Sequence, residues 1–356
     1  MSFLNAEATE YLREYCQALG EAAGAHDVRE QFSITPVMET NLRQAILHSN
    51  AFLQLIAHLP VDQTTGQVID VGDGGLATGR KENERFYAEF DQSGNTYELT
   101  ETDSGAYITW ATLSQWANSG GKDQWVTLMN NAITRNFALD MLRIGFHGTH
   151  VAKNTDPASY PLGQDVNKGW VAIVKEKMPD QVVATAKLDS TGQTEGSYRN
   201  THALGNDLLN NYIHEVHVED PDLVFLVGRN IVAAEEHRLL SAADKPTELN
   251  AVPKLSKDIA GKAAYTPPFF PPNMMMLTSL KNLQILTQKN TQHRDAKNVG
   301  DRKRFETQFL RWEGYAVGNL KKFAVIENVE LVDSAAPVMT VEGAAVEDAN
   351  PDVTPV

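Results

Sequence analysis

A chain of 356 residues with 42% hydrophobic content has room for about two domains and for a substantial core. Its 46 acidic against 31 basic residues give a formal net charge of -15, which excludes a dedicated nucleic-acid binder, because neutralising phosphates takes clustered Lys and Arg. A single cysteine, Cys16, excludes an intrachain disulfide framework, and no apolar run approaches the roughly 18 residues of a membrane-spanning helix. The opening Met1–Glu7 carries no basic segment followed by an apolar one, so the expectation is a soluble protein made in the cytoplasm.

Ala8, Tyr11, Leu12, Tyr15, Cys16 and Leu19 fall at helical spacing and predict an amphipathic helix over residues 5–19, stopped at Gly20, with Cys16 as packing. A small, polar stretch follows, and Phe32–Pro36 opens extended because Pro36 holds Thr35 away from helical geometry. Leu42, Ile46, Leu47, Leu53 and Ile56 predict a second helix over about 38–58.

From Val61 to Thr112 the pattern changes. Apolar residues scatter, glycines cluster at Gly72, Gly74, Gly75 and Gly79, and turn signals stand at Ser93-Gly94-Asn95 and Asp103-Ser104-Gly105. Alternation appears in pieces, as at Val68–Val71 and Tyr107–Trp110, which predicts short strands in a long hairpin without a core of its own. An isolated two-stranded ribbon is marginal in water, so an ordered ribbon must lie on something else, and another copy of the same chain is the expected support.

Beyond Gly120-Gly121, the residues Trp125, Leu128, Met129, Ala132, Ile133, Phe137, Met141 and Ile144 form one stripe. They predict a helix over 122–144, about 35 Å long, ended by Gly145 and Gly148. Helices at 166–178, 206–216 and 230–243 and a buried strand at 222–228 alternate as an α/β or α+β unit does. Pro267–Pro272 reads as a rigid link, and strands are predicted at 274–278, 283–287, 305–313 and 323–332. Residues 333–356 are acidic, contain no Lys or Arg, and read as a disordered or loosely docked tail.

The chemical motifs are weak. His214 and His217 stand three apart, whereas the zinc-protease signature needs four with the Glu between them as base. Gly72-Asp73-Gly74-Gly75-Leu76-Ala77 mimics a dinucleotide fingerprint, yet the polar Thr78–Asn83 behind it offers no helix N-terminus to a pyrophosphate. The chain has neither a phosphate loop nor a Gly-x-Ser-x-Gly elbow, and the pairs Glu219-Asp220 and Glu235-Glu236 read as solvated surface. No catalytic, cofactor-binding or metal-binding residue is therefore assigned. The basic run Arg302-Lys303-Arg304, with Lys321-Lys322, reads either as a salt-bridged sheet edge or as a patch facing a neighbour or an interior.

Three stretches form an ordered series: Leu162–Trp170; Asp220–Val224 continuing to Val227-Gly228-Arg229; and Phe270–Met274 leading into Leu277–Leu283. From about Phe32 to Val332 the chain resembles the major capsid proteins of P2-type tailed bacteriophages. That resemblance implies an α+β, Hong Kong 97-type capsid fold. Its parts would be an N-terminal segment at 1–31 removed on maturation by cleavage near Gln31 and Phe32, an N-terminal arm at 32–60 and an extended loop at 61–112. A peripheral domain at 113–205 with its spine helix at 122–144, an axial domain at 206–318, a return strand of the peripheral domain at 319–332 and the acidic tail would follow. The resemblance also implies self-assembly into hexamers and pentamers of an icosahedral head in the host cytoplasm. A scaffolding protein, a prohead protease, a portal protein and enclosed double-stranded DNA would be partners, and no membrane would be involved. Arg302–Arg311, more basic than in relatives, and the acidic tail depart from that pattern.

The physical logic of a shell subunit fits the ribbon. Ring-forming contacts are head-to-tail, and projecting arms let each copy bury an obligate-sized interface of roughly 2,000–5,000 Å². Aromatic residues dominate such interfaces, so Phe86, Tyr87, Phe90, Tyr107 and Trp110 are the expected anchors, with Gly72, Gly74, Gly75 and Gly79 permitting the loop tip to bend. The competing readings are a nanocompartment shell of the same fold and a metal-dependent hydrolase using His214 and His217.

Overall fold

The computed structural model describes residues 4–23, 25, 27–68, 78–82, 84–87, 95–119, 121–242 and 257–332. In chain order the elements are α1 (Ala6–Ala23), β1 (Phe32–Ser33), α2 (Pro36–His48), β2 (Ala57–Val61), β3 (Thr65–Gln67), β4 (Thr96–Glu98), β5 (Thr100–Thr109), α3 (Trp110–Ser119) and α4 (Lys122–His147). Then come α5 (Trp170–Lys177), β6 (Val182–Leu188), α6 (Thr201–Tyr212), β7 (Leu223–Val227), α7 (Arg229–Ala242), β8 (Asp258–Ile259) and β9 (Lys262–Tyr265). The last are β10 (Met275–Ser279), β11 (Leu283–Gln288), β12 (His293–Val299), β13 (Arg304–Val317) and β14 (Phe323–Leu331).

Two six-stranded sheets organise them. The first runs β1-β12-β13-β11-β2, with β5 on the other flank of β13; the second runs β6-β14-β10-β7-β9-β8. β7 and β10 are buried at every position, as the unbroken apolar run of β7 and Met275–Leu277 of β10 require of central strands. The long α4 buries Trp125, Met129, Ile133, Phe137 and Met141 in the core that it shares with the first sheet. The stretch 206–318, expected as one domain, contributes β7–β10 to the second sheet and β11–β13 to the first, and β14, expected as a return strand of the peripheral domain, lies in the second sheet beside β10 and β6.

Several local expectations are corrected by identifiable contacts. α1 runs through Gly20 to Ala23, with Gly20 buried against Val28. α2 starts two residues earlier than 38, where the Thr35 hydroxyl caps Met38 N–H at 3.4 Å and Pro36 occupies the first turn. It stops ten residues short of 58, because Asn50 Oδ1 accepts the Phe52 and Leu53 amides and starts a turn, and β2 then pairs in parallel with β11. α4 continues through Gly145, whose missing side chain makes room for Trp170; a Cβ there would lie 2.5 Å from the indole. α6 begins at Thr201 rather than 206, capped by Asn200 Oδ1, which accepts from Ala203 N–H at 2.7 Å. α5 begins only at Trp170, after the tight Gly148–Gly169 approach.

The ribbon 61–112 is also smaller than its sequence suggests. β5 pairs with β13 over ten positions, from Thr109 with Arg304 to Thr100 with Glu313, and α3 tucks Leu113 and Ala117 between α1 and α4. The C-terminal part of the stretch, from Thr100 on, thus finds its support within its own chain. What stands apart is the short ladder of β3 with β4, Thr65–Gln67 against Thr96–Glu98.

Candidate assembly interface

The foot of this loop rests on the first sheet through a small apolar cluster of Val68, Leu99, Leu286 and Ala316. Gly66 lies under Tyr97, where a Cβ would come within 2.7 Å of the phenol, and Gly314 of β13 lets the Glu98 carbonyl approach equally closely. Higher up, Gly79 faces the ring of Phe86. Tyr87 is 80% exposed, Tyr107 61% and Phe86 36%. Tyr107 lies under the Arg304 guanidinium at 4.4 Å, and Trp110 is half-buried, its Nε1 donating to Asn298 Oδ1 at 2.8 Å. Of the expected anchors, Tyr107 and Trp110 therefore sit together at the tip of the β12–β13 hairpin, apart from the loop that carries Phe86 and Tyr87. Phe90, Gly72, Gly74, Gly75 and the tail 333–356 lie outside the described residues.

Gln31 is exposed, immediately before Phe32 pairs with Arg294 of β12. Upstream of it, α1 is seated in the core: Tyr15 meets Trp125 and Phe305 edge-on at 6.3 Å and donates to Asn130 Oδ1 at 3.0 Å. Cys16 lies on the same helix, and burial pushes its thiol above the ordinary range, as suits packing rather than reactivity.

Rigidity beneath the loop comes from a buried polar group that sequence reasoning missed. Arg311 and Glu313 pair at 2.6 Å with both side chains buried, Arg311 also donates to Ser104 Oγ of β5 at 2.7 Å, and the Glu313 carbonyl accepts from Asn167 at 3.0 Å. The Tyr315 hydroxyl stands 3.0 Å from the Met141 carbonyl of α4 and 3.2 Å from Glu313 Oε1, and burial holds its phenol far above the usual pKa. The signal was the alternation Arg311-Trp312-Glu313-Gly314-Tyr315, which on a strand places the three polar residues on one face. Two of the three stretches that carry the resemblance also meet in space. Gly228 packs so tightly on Pro272 that a Cβ would lie 2.1 Å from its carbonyl oxygen, and Gly228 N–H donates to Met274 O at 2.9 Å.

The hydrolase reading finds no site. The His214 and His217 rings are 6.5 Å apart, and His217 is held between Asp220 Oδ2 at 2.9 Å and the Asn319 amide at 3.2 Å. Among the described residues no group of three His, Cys, Asp or Glu is arranged to hold a metal, and no helix is long and apolar enough to cross a membrane. Arg302 and Arg304 both reach Glu306, and Lys322 bridges Asp220 and Asp222, so these basic residues sit in salt-bridged edges.

The sequence profile of the phage major capsid proteins of the P2 family matches residues 11–329. The chain belongs to that family. It is 27% identical over 343 residues to the "Capsid proteins" of Escherichia phage P2, covering 92% of this chain and 94% of the relative. It is 24% identical over 318 residues to the major capsid protein of Serratia phage KSP20, covering 85% and 90%. Among solved structures, the satellite phage P4 procapsid that includes the size determination (Sid) protein superposes with a TM-score of 0.66 at 26% identity, covering 82% of this chain and 100% of that one. The mixed α+β architecture is thus a Hong Kong 97-type capsid fold, and the protein is a capsid-forming subunit of a phage virion. Neither the nanocompartment nor the hydrolase reading is favoured.

Proposed function

We propose that this P2-family capsid protein assembles as hexamers and pentamers of an icosahedral head around double-stranded DNA, and that residues 62–99 reach across a neighbouring copy. The observation that carries the reading is the contrast between the three-residue ladder β3–β4 and the exposed Tyr87 and Phe86 above it. A ladder of that length does not hold a ribbon upright in water, and exposed aromatics are what an interface buries.

On this reading the first sheet with α4 acts as the peripheral domain, and the second sheet, including β6 and β14, as the axial domain. A scaffolding protein, a prohead protease and a portal protein act with it during assembly in the host cytoplasm. The protease removes the N-terminal segment at the exposed turn before Phe32, near Gln31. DNA is enclosed rather than read, in keeping with a net charge of -15.

Co-expression of the full chain with its scaffolding protein, followed by electron microscopy, tests the reading. Regular shells are expected from the wild type, and a chain lacking Gly72–Gly79 is expected to give a folded monomer with unchanged thermal unfolding and no stable shells. Normal particles from that deletion would overturn the role given to the loop. Mass spectrometry of mature particles reads the new N-terminus directly.

A further inference from the structure

Three segments with different tasks meet at one polar joint. The two connections between the sheets, Leu280–Asn282 from β10 to β11 and the turn Gly318–Lys322 from β13 to β14, lie side by side. Asn282 ties them together. Its Nδ2 donates to the Asn319 carbonyl at 2.9 Å, its Oδ1 accepts from Asn319 N–H at 2.6 Å, and its own carbonyl accepts from Gly318 N–H at 2.9 Å. Gly318 is needed there, since a Cβ would lie 2.9 Å from Asn282 Oδ1.

The foot of the loop reaches the same place. Asn95, just before β4, donates from Nδ2 to the carbonyls of Val317 at 2.8 Å and Gly318 at 2.9 Å. Its Oδ1 accepts from Lys177 Nζ of α5 at 3.1 Å, and the same ammonium donates to the Thr96 carbonyl. On one side the foot packs through Val68 and Leu99 against Leu286 and Ala316. On the other side a cleft of about 140 Å³ opens between Thr96, Tyr97, Lys168, Glu176 and Lys177. Hydrogen bonds, not close packing, fix the foot on that side.

We infer that Asn95 and Lys177 are positioning residues for the loop: they set the direction in which residues 62–99 leave the body, and through Asn282 and Asn319 they tie that direction to the angle between the two sheets. The two ends of the Asn95 amide hold different segments, Nδ2 the end of β13 with the β13–β14 connection and Oδ1 helix α5. A displacement of either segment strains these bonds and loosens the foot. Coupling of this kind is reciprocal, so a change at the connection is felt at the foot and a change at the foot is felt at the connection.

Amide hydrogen exchange on the soluble, unassembled full-length protein reads the joint without reference to shells. Asn282→Ala should speed exchange about tenfold at Asn319, and also at Val68 and Leu99, whose N–H groups bond Asn95 O and Thr64 O. Asn95→Ala should give the reciprocal result, with faster exchange at Gly318 and Asn319. Acceleration confined in both variants to the side that carries the substitution overturns the inference. If Asn282→Ala does not fold, Lys177→Met, which keeps the stem and loses both bonds, takes its place; acceleration at Val68, Leu99 and Gly318 supports the coupling, and an unchanged Gly318 counts against it. The role in positioning rests on the shell reading and has its own arm. Co-expressed with scaffold, Asn95→Ala should give fewer regular shells than wild type, and an equal yield overturns that role. A wild type that makes no shells under those conditions overturns the shell reading and leaves the exchange result standing.

Discussion

The first sheet with α4 and the loop at 62–99 lie next to each other in the chain and are built on opposite principles. In the first, β5 and β13 share ten paired positions, a stripe of α4 is buried along its length, and the Arg311–Glu313–Tyr315 group bonds to β5, to α4 and to the segment carrying Asn167. In the second, two strands of three residues pair, and the aromatics above them face solvent. One region completes its own contacts; the other leaves them to be made. A shell subunit needs both, because a soluble precursor must fold alone and yet keep surface in reserve for its neighbours.

The comparison breaks most visibly at Glu313. Glu313→Ala leaves the Arg311 guanidinium buried without its carboxylate and should cost about 3–5 kcal/mol, read as a shift in the urea midpoint. A loss under about 1 kcal/mol would show that water reaches this group and that the first region is looser than its burial indicates. Thr35→Ala probes the entry to the same region from the arm. Removing the oxygen that accepts Met38 N–H should cost about 1 kcal/mol, visible in the same titration and without effect on the exchange of loop amides. Tyr87→Ser, on the other region, should change monomer stability by no more than about 0.5 kcal/mol while lowering the yield of shells. A destabilised Tyr87→Ser monomer would mean that the loop packs on its own subunit.

The division between regions was partly legible before any coordinates. The α4 stripe and the apolar run of β7 announce themselves, because burial on one helical face or on both faces of a strand leaves a periodicity in the residues themselves. β12 did not, since His293–Val299 reads as polar and becomes a strand only because β13 lies alongside it; Asn290, at φ +59, breaks the run from β11 just before it. α3 was hidden by the alternation of Tyr107–Trp110, which runs straight into it, and by burying fully, among its described residues, just Leu113 and Ala117. Asn95 is the clearest case at the candidate site. In the sequence it belongs to a Ser-Gly-Asn turn signal, and nothing local tells that its amide joins α5 to the β13–β14 connection more than two hundred residues away.

The effect that is smallest at neutral pH concerns the edge of the second sheet and emerges under alkaline conditions. The Tyr198 hydroxyl donates to Asp207 Oδ2 at 2.7 Å, and burial together with that carboxylate pushes its pKa up to about 12 from an ordinary value near 10. Between those values the unfolded chain gives up the phenolic proton and the folded chain keeps it. The unfolded state then binds fewer protons, so stability falls as pH rises from about 10 to about 12 and is unaffected by this group below that window. Tyr198→Phe removes the proton and should flatten that part of the stability profile, at the cost of one partly exposed hydrogen bond at neutral pH. An unchanged alkaline slope would place the titration elsewhere and show that the Tyr198–Asp207 contact opens readily, which would make this edge of the second sheet resemble the loop more than the core of the first sheet.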